Sequence, residues 1–305
     1  MTKIGNVILD ETCYIGRDLY SDGAIEDTLL EIVKEAEPGQ YDSYIKQKQN
    51  WAVLYHLSKN RHNIIDWMDD DKSLNVLEIG SGCGAITGKL AEKFNKVTCI
   101  ELSKKRSLIN AYRNRDCSNI EIKIGNYKDV SEKLEEKYDI ITLIGVFEYA
   151  QGYMSTDNSY VDFLVSIKQH LKPNGVIIIA IENQFGLKYW AGCVEDHKGV
   201  PYMGLEGYSK ADGVKTFSKG GLEKVIKESG CRVDKFYYPY PDYKLPTVIY
   251  SDEYLPKLGE LNNNSNNFDS ARLLTFDESK VFDTIILEEE FPRYSNSFLV
   301  FVKED

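Results

Sequence analysis

The stretch Val76-Leu77-Glu78-Ile79-Gly80-Ser81-Gly82-Cys83-Gly84 decides the fold. A short apolar run ends in glycines at alternate positions, and residues 85–94 follow with helical spacing. That order reads as strand, tight turn and helix, the arrangement by which open α/β sheets bind nucleotides. Glycine takes positive φ there without steric cost and lets the backbone approach a ligand closely. The next apolar run, Val97-Thr98-Cys99-Ile100, ends in Glu101. An acid at the end of the second strand, about 20 residues past the first glycine, is placed to accept hydrogen bonds from two ribose hydroxyls. Together the features indicate an adenosine-containing cofactor, and a packing turn without ligand is the competing reading.

The glycine spacing selects among such cofactors. A dinucleotide turn reads G-x-G-x-x-G and leads into a helix N-terminus that holds the pyrophosphate. Here the turn reads G-x-G-x-G, with Glu78 inside the preceding strand. This resembles motif I of the class I S-adenosylmethionine (SAM)-dependent methyltransferases, E/D-x-G-x-G-x-G. The resemblance implies SAM as cofactor, S-adenosyl-L-homocysteine (SAH) as product, and an α/β Rossmann-like sheet of seven mostly parallel strands with an antiparallel last strand. It also implies that Glu78 orders the turn near the methionine amine, and that Gly80, Ser81, Gly82 and Gly84 line the methionine and ribose. Glu101, with Leu102 beside it, takes the ribose hydroxyls. Asn126, at the end of the third strand, is matched to the adenine amino group and Tyr127 to the face of the ring. Gly145, at the end of the fourth, brings the backbone near the reactive methyl.

Composition fits a soluble enzyme of 305 residues. No apolar run approaches the roughly 20 residues that span a bilayer, and the N-terminus has no signal-peptide pattern. Six cysteines are scattered without CxxC pairs, which suggests neither a disulfide framework nor a zinc site and favours a cytoplasmic location. A net charge of -11 disfavours a nucleic-acid partner.

The chain reads as four parts. Residues 1–70 form a helical N-terminal cap, with helices over 25–35 and 43–68. Residues 71–185 form the SAM-binding core, with strands at 75–79, 96–101, 120–124, 138–144 and 175–181. Leu171-Lys172-Pro173-Asn174-Gly175 reads as a turn before the fifth strand, and resembles the L-x-P-G-G turn of the family. Residues 186–218 form a lid with substrate-binding residues, since long insertions in compact domains are usually functional. Residues 219–305 complete the sheet, with a helix capped by Ser218, a sixth strand at 232–238 and a seventh at 297–302. The asparagine-rich run over 262–267 reads as a mobile loop tip.

Tyr55-His56-Leu57-Ser58, the run from Ile181 through Gly192, Glu195-Asp196-His197 and the run from Tyr238 through Lys244 resemble bacterial methyltransferases associated with surface-glycan assembly. That resemblance implies methylation of an O or N atom in a building block of a capsule, O-antigen or flagellin glycan, or of its amino-acid substituent. It implies a small-molecule or glycan-linked acceptor, and glycosyltransferases of the same pathway as partners. A small-molecule or natural-product methyltransferase, a catalytically silent binding subunit and a nucleotide-dependent oxidoreductase stay open as alternatives.

Methyl transfer from a sulfonium is an in-line displacement, so the protein mainly holds the nucleophile in line and removes its proton. His197 is the first candidate base, because histidine titrates near neutrality, and Asp196 is the expected orienter of its ring. Glu148 is a further catalytic candidate, read either as an acid lining the pocket or as a helix-start charge. Glu195 and Asn183 are expected to bind substrate, with Tyr149, Tyr189, Trp190, Tyr240 and Tyr243 as aromatic walls. No metal is expected: Glu195, Asp196 and Asn183 offer oxygens, but consecutive residues rarely converge on one ion.

Overall fold

The computed structural model describes residues 1–154, 156–264 and 272–305. The chain forms two compact units. One comprises Met1–Leu143 with Gln169–Val176, and the other Ile144–Lys168 with Ile177–Asp305.

In the first unit the strands are β1 (Thr2–Ile4), β2 (Val7–Cys13), β3 (Asp71–Ile79), β4 (Phe94–Glu101), β5 (Ile120–Gly125) and β6 (Tyr138–Ile144). They lie in the order β1-β2-β5-β4-β3-β6. β3 pairs in parallel with both β4 and β6, and β4 with β5. Their β-branched runs are buried on both faces, as a sheet covered by helices requires. The crossover helix Lys104–Arg113 begins at Ser103, whose side chain accepts the Arg106 amide. This is the α/β Rossmann-like architecture read from the glycine turn.

The N-terminal residues depart from a purely helical cap. β1 and β2 form an antiparallel hairpin, and β2 joins β5 in parallel with Ile8 opposite Glu121. The helix expected over 43–68 is broken into Tyr41–Lys48, Trp51–Leu57 and Asn63–Asp66. Gln49 adopts a left-handed conformation (φ 44°), and the extended residues Asn50 and Ser58 cap new helical turns with their side chains. Helix Ile25–Glu35 packs its Leu29, Ile32 and Val33 into a cluster with Ile109 of helix Lys104–Arg113 and Cys83 of the glycine turn. Residues 18–26 brace the start of helix Lys104–Arg113: Asp18 accepts the Lys104 and Lys105 amides at 2.7 and 3.2 Å, and Glu26 holds Arg106 at 2.8 Å.

The later strands are β7 (Leu171–Glu182), β8 (Cys231–Tyr240), β9 (Val248–Ser251) and β10 (Ser297–Glu304). In the second unit β10 runs antiparallel to residues 177–182 of β7, with Ser297 opposite Glu182. It also pairs antiparallel with β8, and β8 pairs antiparallel with β9. The antiparallel last strand is therefore present, and β9 is a strand that the proline-rich sequence before it hides. The Leu171-to-Gly175 turn lies within β7, where Asn174 alone takes a positive φ of 65°. Helix Lys219–Glu228 starts where expected, with the Ser218 hydroxyl accepting the Gly221 amide. Of the asparagine-rich run, residues 265–267 lie outside the described residues. Among the described residues no helix is long and apolar enough to cross a membrane.

Candidate active site

In the first unit the glycine turn follows β3. Gly80, Gly82 and Gly84 all have positive φ (70°, 53° and 74°). The Gly80 and Ser81 amides donate to the Ile100 carbonyl at the end of β4, at 2.8 and 3.3 Å. The Gly82 amide donates to Glu101 Oε2 at 2.7 Å, and the Ser103 amide to Oε1 at 2.9 Å. Glu101 is thus fixed by backbone on both oxygens, and each oxygen keeps lone-pair capacity for a further donor such as a ribose hydroxyl. Burial pushes its carboxyl upward, against Arg106 and the Ser103, Gly82 and Leu102 amides, which favour the charge. Leu102 is half-buried beside it. A Cβ at Gly82 meets nothing within 4 Å, whereas one at Gly84 falls 2.3 Å from Asn110 Oδ1. The two glycines therefore serve different needs, an open face at one and close packing at the other.

Glu78 points into the protein. Its Oε2 accepts the Thr87 hydroxyl at 2.6 Å, and Thr87 in turn accepts from Asn110 at 3.1 Å. It ties β3 to the helix that follows, which is how it orders the turn. Burial pushes its carboxyl up to about 7. Asn126 spends its carbonyl oxygen on the Lys128 amide at 3.0 Å, as a helix cap. Tyr127 is buried in the core.

The second unit contains the other site residues. Glu195 Oε1 lies 2.7 Å from His197 Nδ1 and accepts the Tyr208 hydroxyl at 3.1 Å. Its Oε2 accepts the His197 and Lys198 amides at 2.8 and 2.7 Å. Glu195, and not Asp196, orients the imidazole. Asp196 faces the other way, pairing with Lys188 at 2.9 Å and with Lys244, and accepting the Tyr189 hydroxyl. His197 Nε2 lies 3.4 Å from Glu148 Oε1 and 3.7 Å from Glu182 Oε2. Lys244 Nζ completes the group 2.7 Å from Glu182 Oε1. The Tyr149 ring stands edge-on to His197, with centroids 5.3 Å apart.

His197 sits among three carboxylates. Burial disfavours its charge, but Glu182, Glu148 and Glu195 outweigh burial and hold the imidazole well above its ordinary value. The Glu148 carboxyl is raised by burial, and the attraction of His197 only partly opposes that. Its Oε2 is buried and has no hydrogen-bond partner among the described residues.

Several expected substrate residues are committed to structure. Asn183 donates to the Arg293 and Ser295 carbonyls at 2.8 and 2.7 Å and accepts the Phe185 amide at 3.0 Å. The Tyr240 hydroxyl accepts the Asn263 amide at 2.6 Å and donates to Asn264 at 2.9 Å. Tyr189 is buried, and Trp190 lies 47% exposed with its indole donating to the Phe185 carbonyl. Tyr243 packs on Gly145 (φ 69°), where a Cβ would stand 2.8 Å from the Tyr243 hydroxyl. Gly145 thus makes room for a tyrosine. Glu182, Lys188, Lys244 and Tyr208 belong to the cluster without having been singled out. Glu182 carried a usable signal, since it ends β7 as Glu101 ends β4.

A family model described as a methyltransferase domain matches residues 77–177. Among curated proteins, the ubiquinone biosynthesis O-methyltransferase of Rickettsia typhi (strain ATCC VR-144 / Wilmington) is 28% identical over 131 residues, covering 41% of this chain and 48% of that protein. Its counterpart in Rickettsia canadensis (strain McKiel) is 27% identical over 170 residues, covering 51% and 67%. Ribosomal RNA small subunit methyltransferase A of Streptococcus equi subsp. zooepidemicus (strain MGCS10565) is 41% identical, over 59 residues only, covering 19% of this chain and 20% of that one. The chain spans about half the length of the Rickettsia typhi relative. Solved structures similar to it include a SAM-dependent methyltransferase from Clostridium acetobutylicum ATCC 824, with TM-score 0.43, 14% identity and coverage of 92% and 96%. The CcbJ methyltransferase from Streptomyces caelestis has TM-score 0.48, 14% identity and coverage of 84% and 96%. Residues 77–177 thus match a methyltransferase domain, and the sheet and glycine turn that hold them have an α/β Rossmann-like architecture.

Proposed function

We propose that this chain is a SAM-dependent O-methyltransferase. The methyl carbon leaves the sulfonium sulfur as its bond to a hydroxyl oxygen of the acceptor forms. SAH departs, and the hydroxyl proton passes to a carboxylate. The observation that carries the reading is the clasp of the glycine turn, the Gly82 amide on Glu101, which leaves both carboxylate oxygens able to take a ribose diol. Because SAM has no phosphate to neutralise, a turn ringed by acids suits it better than it suits a dinucleotide.

Acceptor activation is assigned to Glu148, with His197 held by Glu195 as its charged neighbour. General-base catalysis of this kind contributes about 10²–10⁴-fold. A hydroxyl acceptor suits an anionic cluster, which stabilises the proton it takes. The finer reading, a surface-glycan building block or its amino-acid substituent, is carried by the resemblance of the His197 and Lys244 segments. The names of the Rickettsia relatives favour a hydroxylated intermediate of ubiquinone biosynthesis instead.

The test is SAH formation from SAM against parallel panels of nucleotide-activated sugars and hydroxylated quinone precursors. Turnover with one panel, lowered at least about a hundredfold by Glu148→Gln with SAH affinity intact, supports the reading. Undiminished turnover of that variant refutes Glu148 as the base. SAH binding with no transfer to either panel turns the assignment toward a silent binding subunit.

A further inference from the structure

Glu148, Glu182 and His197 come from three separate segments: the chain following β6, the last residue of β7, and the lid. Each offers a donor atom, and these atoms lie within 4.8 Å of one another. Two ligands bound about 2.1 Å from one ion stand up to about 4.2 Å apart. The observed separations from Nε2, 3.4 Å to Glu148 and 3.7 Å to Glu182, fall inside that span.

Two independent features point to a ligand. First, Glu148 is 1% exposed, and its Oε2 has no hydrogen-bond partner among the described residues. A buried carboxylate oxygen without a donor is costly unless something positive completes it. Second, Glu195 sits on Nδ1 and is itself fixed by two amides and the Tyr208 hydroxyl. A carboxylate on Nδ1 fixes the imidazole tautomer that leaves Nε2 free to ligate, the outer-shell arrangement of metal-bound histidines. Two carboxylates and one imidazole, with no thiolate, suit a divalent first-row cation.

We propose that Glu148, Glu182 and His197 form a binding site for one divalent cation, with Glu195 as its orienting partner. The ligands bind the ion in their deprotonated forms, so affinity rises with pH. Lys244, 2.7 Å from Glu182 Oε1, leaves the other oxygen of that carboxylate for the ion. The site stands on its own geometry. Its use in methyl transfer, holding the acceptor oxygen and lowering its pKa, rests on the function proposed above.

The test titrates the full chain with Mn²⁺ alone and follows free Mn²⁺ by electron paramagnetic resonance. The expected result is one ion per chain at micromolar affinity, weakened at least about tenfold by Glu195→Gln and further by His197→Ala or Glu148→Gln. Electron spin-echo modulation on the unaltered chain should show coupling to an imidazole nitrogen, a readout that survives even if a variant fails to fold. Absence of stoichiometric binding up to millimolar Mn²⁺, or binding with no nitrogen coupling, overturns the proposal. SAH binding measured on the same preparation is independent of it, so failure here leaves the donor assignment standing.

Discussion

Glu78→Gln isolates the energetic consequence of burying an acid beneath the glycine turn. The carboxyl is pushed from 4.5 up to about 7, chiefly by burial, with the Thr87 hydroxyl opposing. A carboxyl whose folded value exceeds its unfolded value binds a proton more tightly when folded. The stability this adds is complete below pH 4.5 and is lost as pH rises through about 7. At 1.36 kcal/mol per pH unit, the interval corresponds to about 3 kcal/mol. Glutamine keeps an oxygen for the Thr87 hydroxyl and carries no charge, so the variant lacks this dependence. The assay is urea unfolding of both proteins from pH 4.5 to 8.5. Titrations of groups that do not interact with Glu78 cancel in the difference, and the variant should gain about 3 kcal/mol relative to the parent across that range. Parallel stability curves would show that Glu78 is not the buried acid described, and would refute the reasoning.

The glycines should separate by mechanism. Gly84→Ala, with a Cβ 2.3 Å from Asn110 and φ of 74°, should cost about 2–3 kcal/mol by urea denaturation, whereas Gly82→Ala faces open space and should cost about 1 kcal/mol. Gly82→Arg, which fills that open face, should abolish SAH binding while leaving the circular dichroism of the parent. Lys244→Met removes the lysine beside Glu182 and one of the two lysines on Asp196, which keeps Lys188, and should destabilise the chain by about 3–5 kcal/mol. Asn50→Ala removes acceptors for the Ala52 and Val53 amides and should cost about 1 kcal/mol.

What the sequence disclosed was local in cause. The glycine turn, Glu101 and the Ser103 and Ser218 caps are each specified within a few residues, and each lies where its chemistry put it. β1 and β2 escaped because an edge strand is defined by its partner, and Ile8 finds Glu121 only in the folded chain. The long helix over 43–68 failed at Asn50 and Ser58, whose side chains compete with the helix for its own amides. In the cluster, three neighbouring residues were found and their roles exchanged. Glu195 and Asp196 are adjacent and chemically alike. Which of them faces the imidazole depends on a turn that aims the His197 and Lys198 amides at Glu195, and on Lys188 and Lys244 drawing Asp196 away. Only tertiary structure brings Lys244 and Glu182 to the same place, beside the imidazole of His197.

The central claim is that the clasped glycine turn recognises SAM. Calorimetric titration of the full chain with SAH, with NAD as control, tests it most directly. Micromolar binding of SAH alone, abolished by Glu101→Ala, is the predicted result. Binding of NAD in preference to SAH, or SAH affinity unchanged by Glu101→Ala, would contradict it.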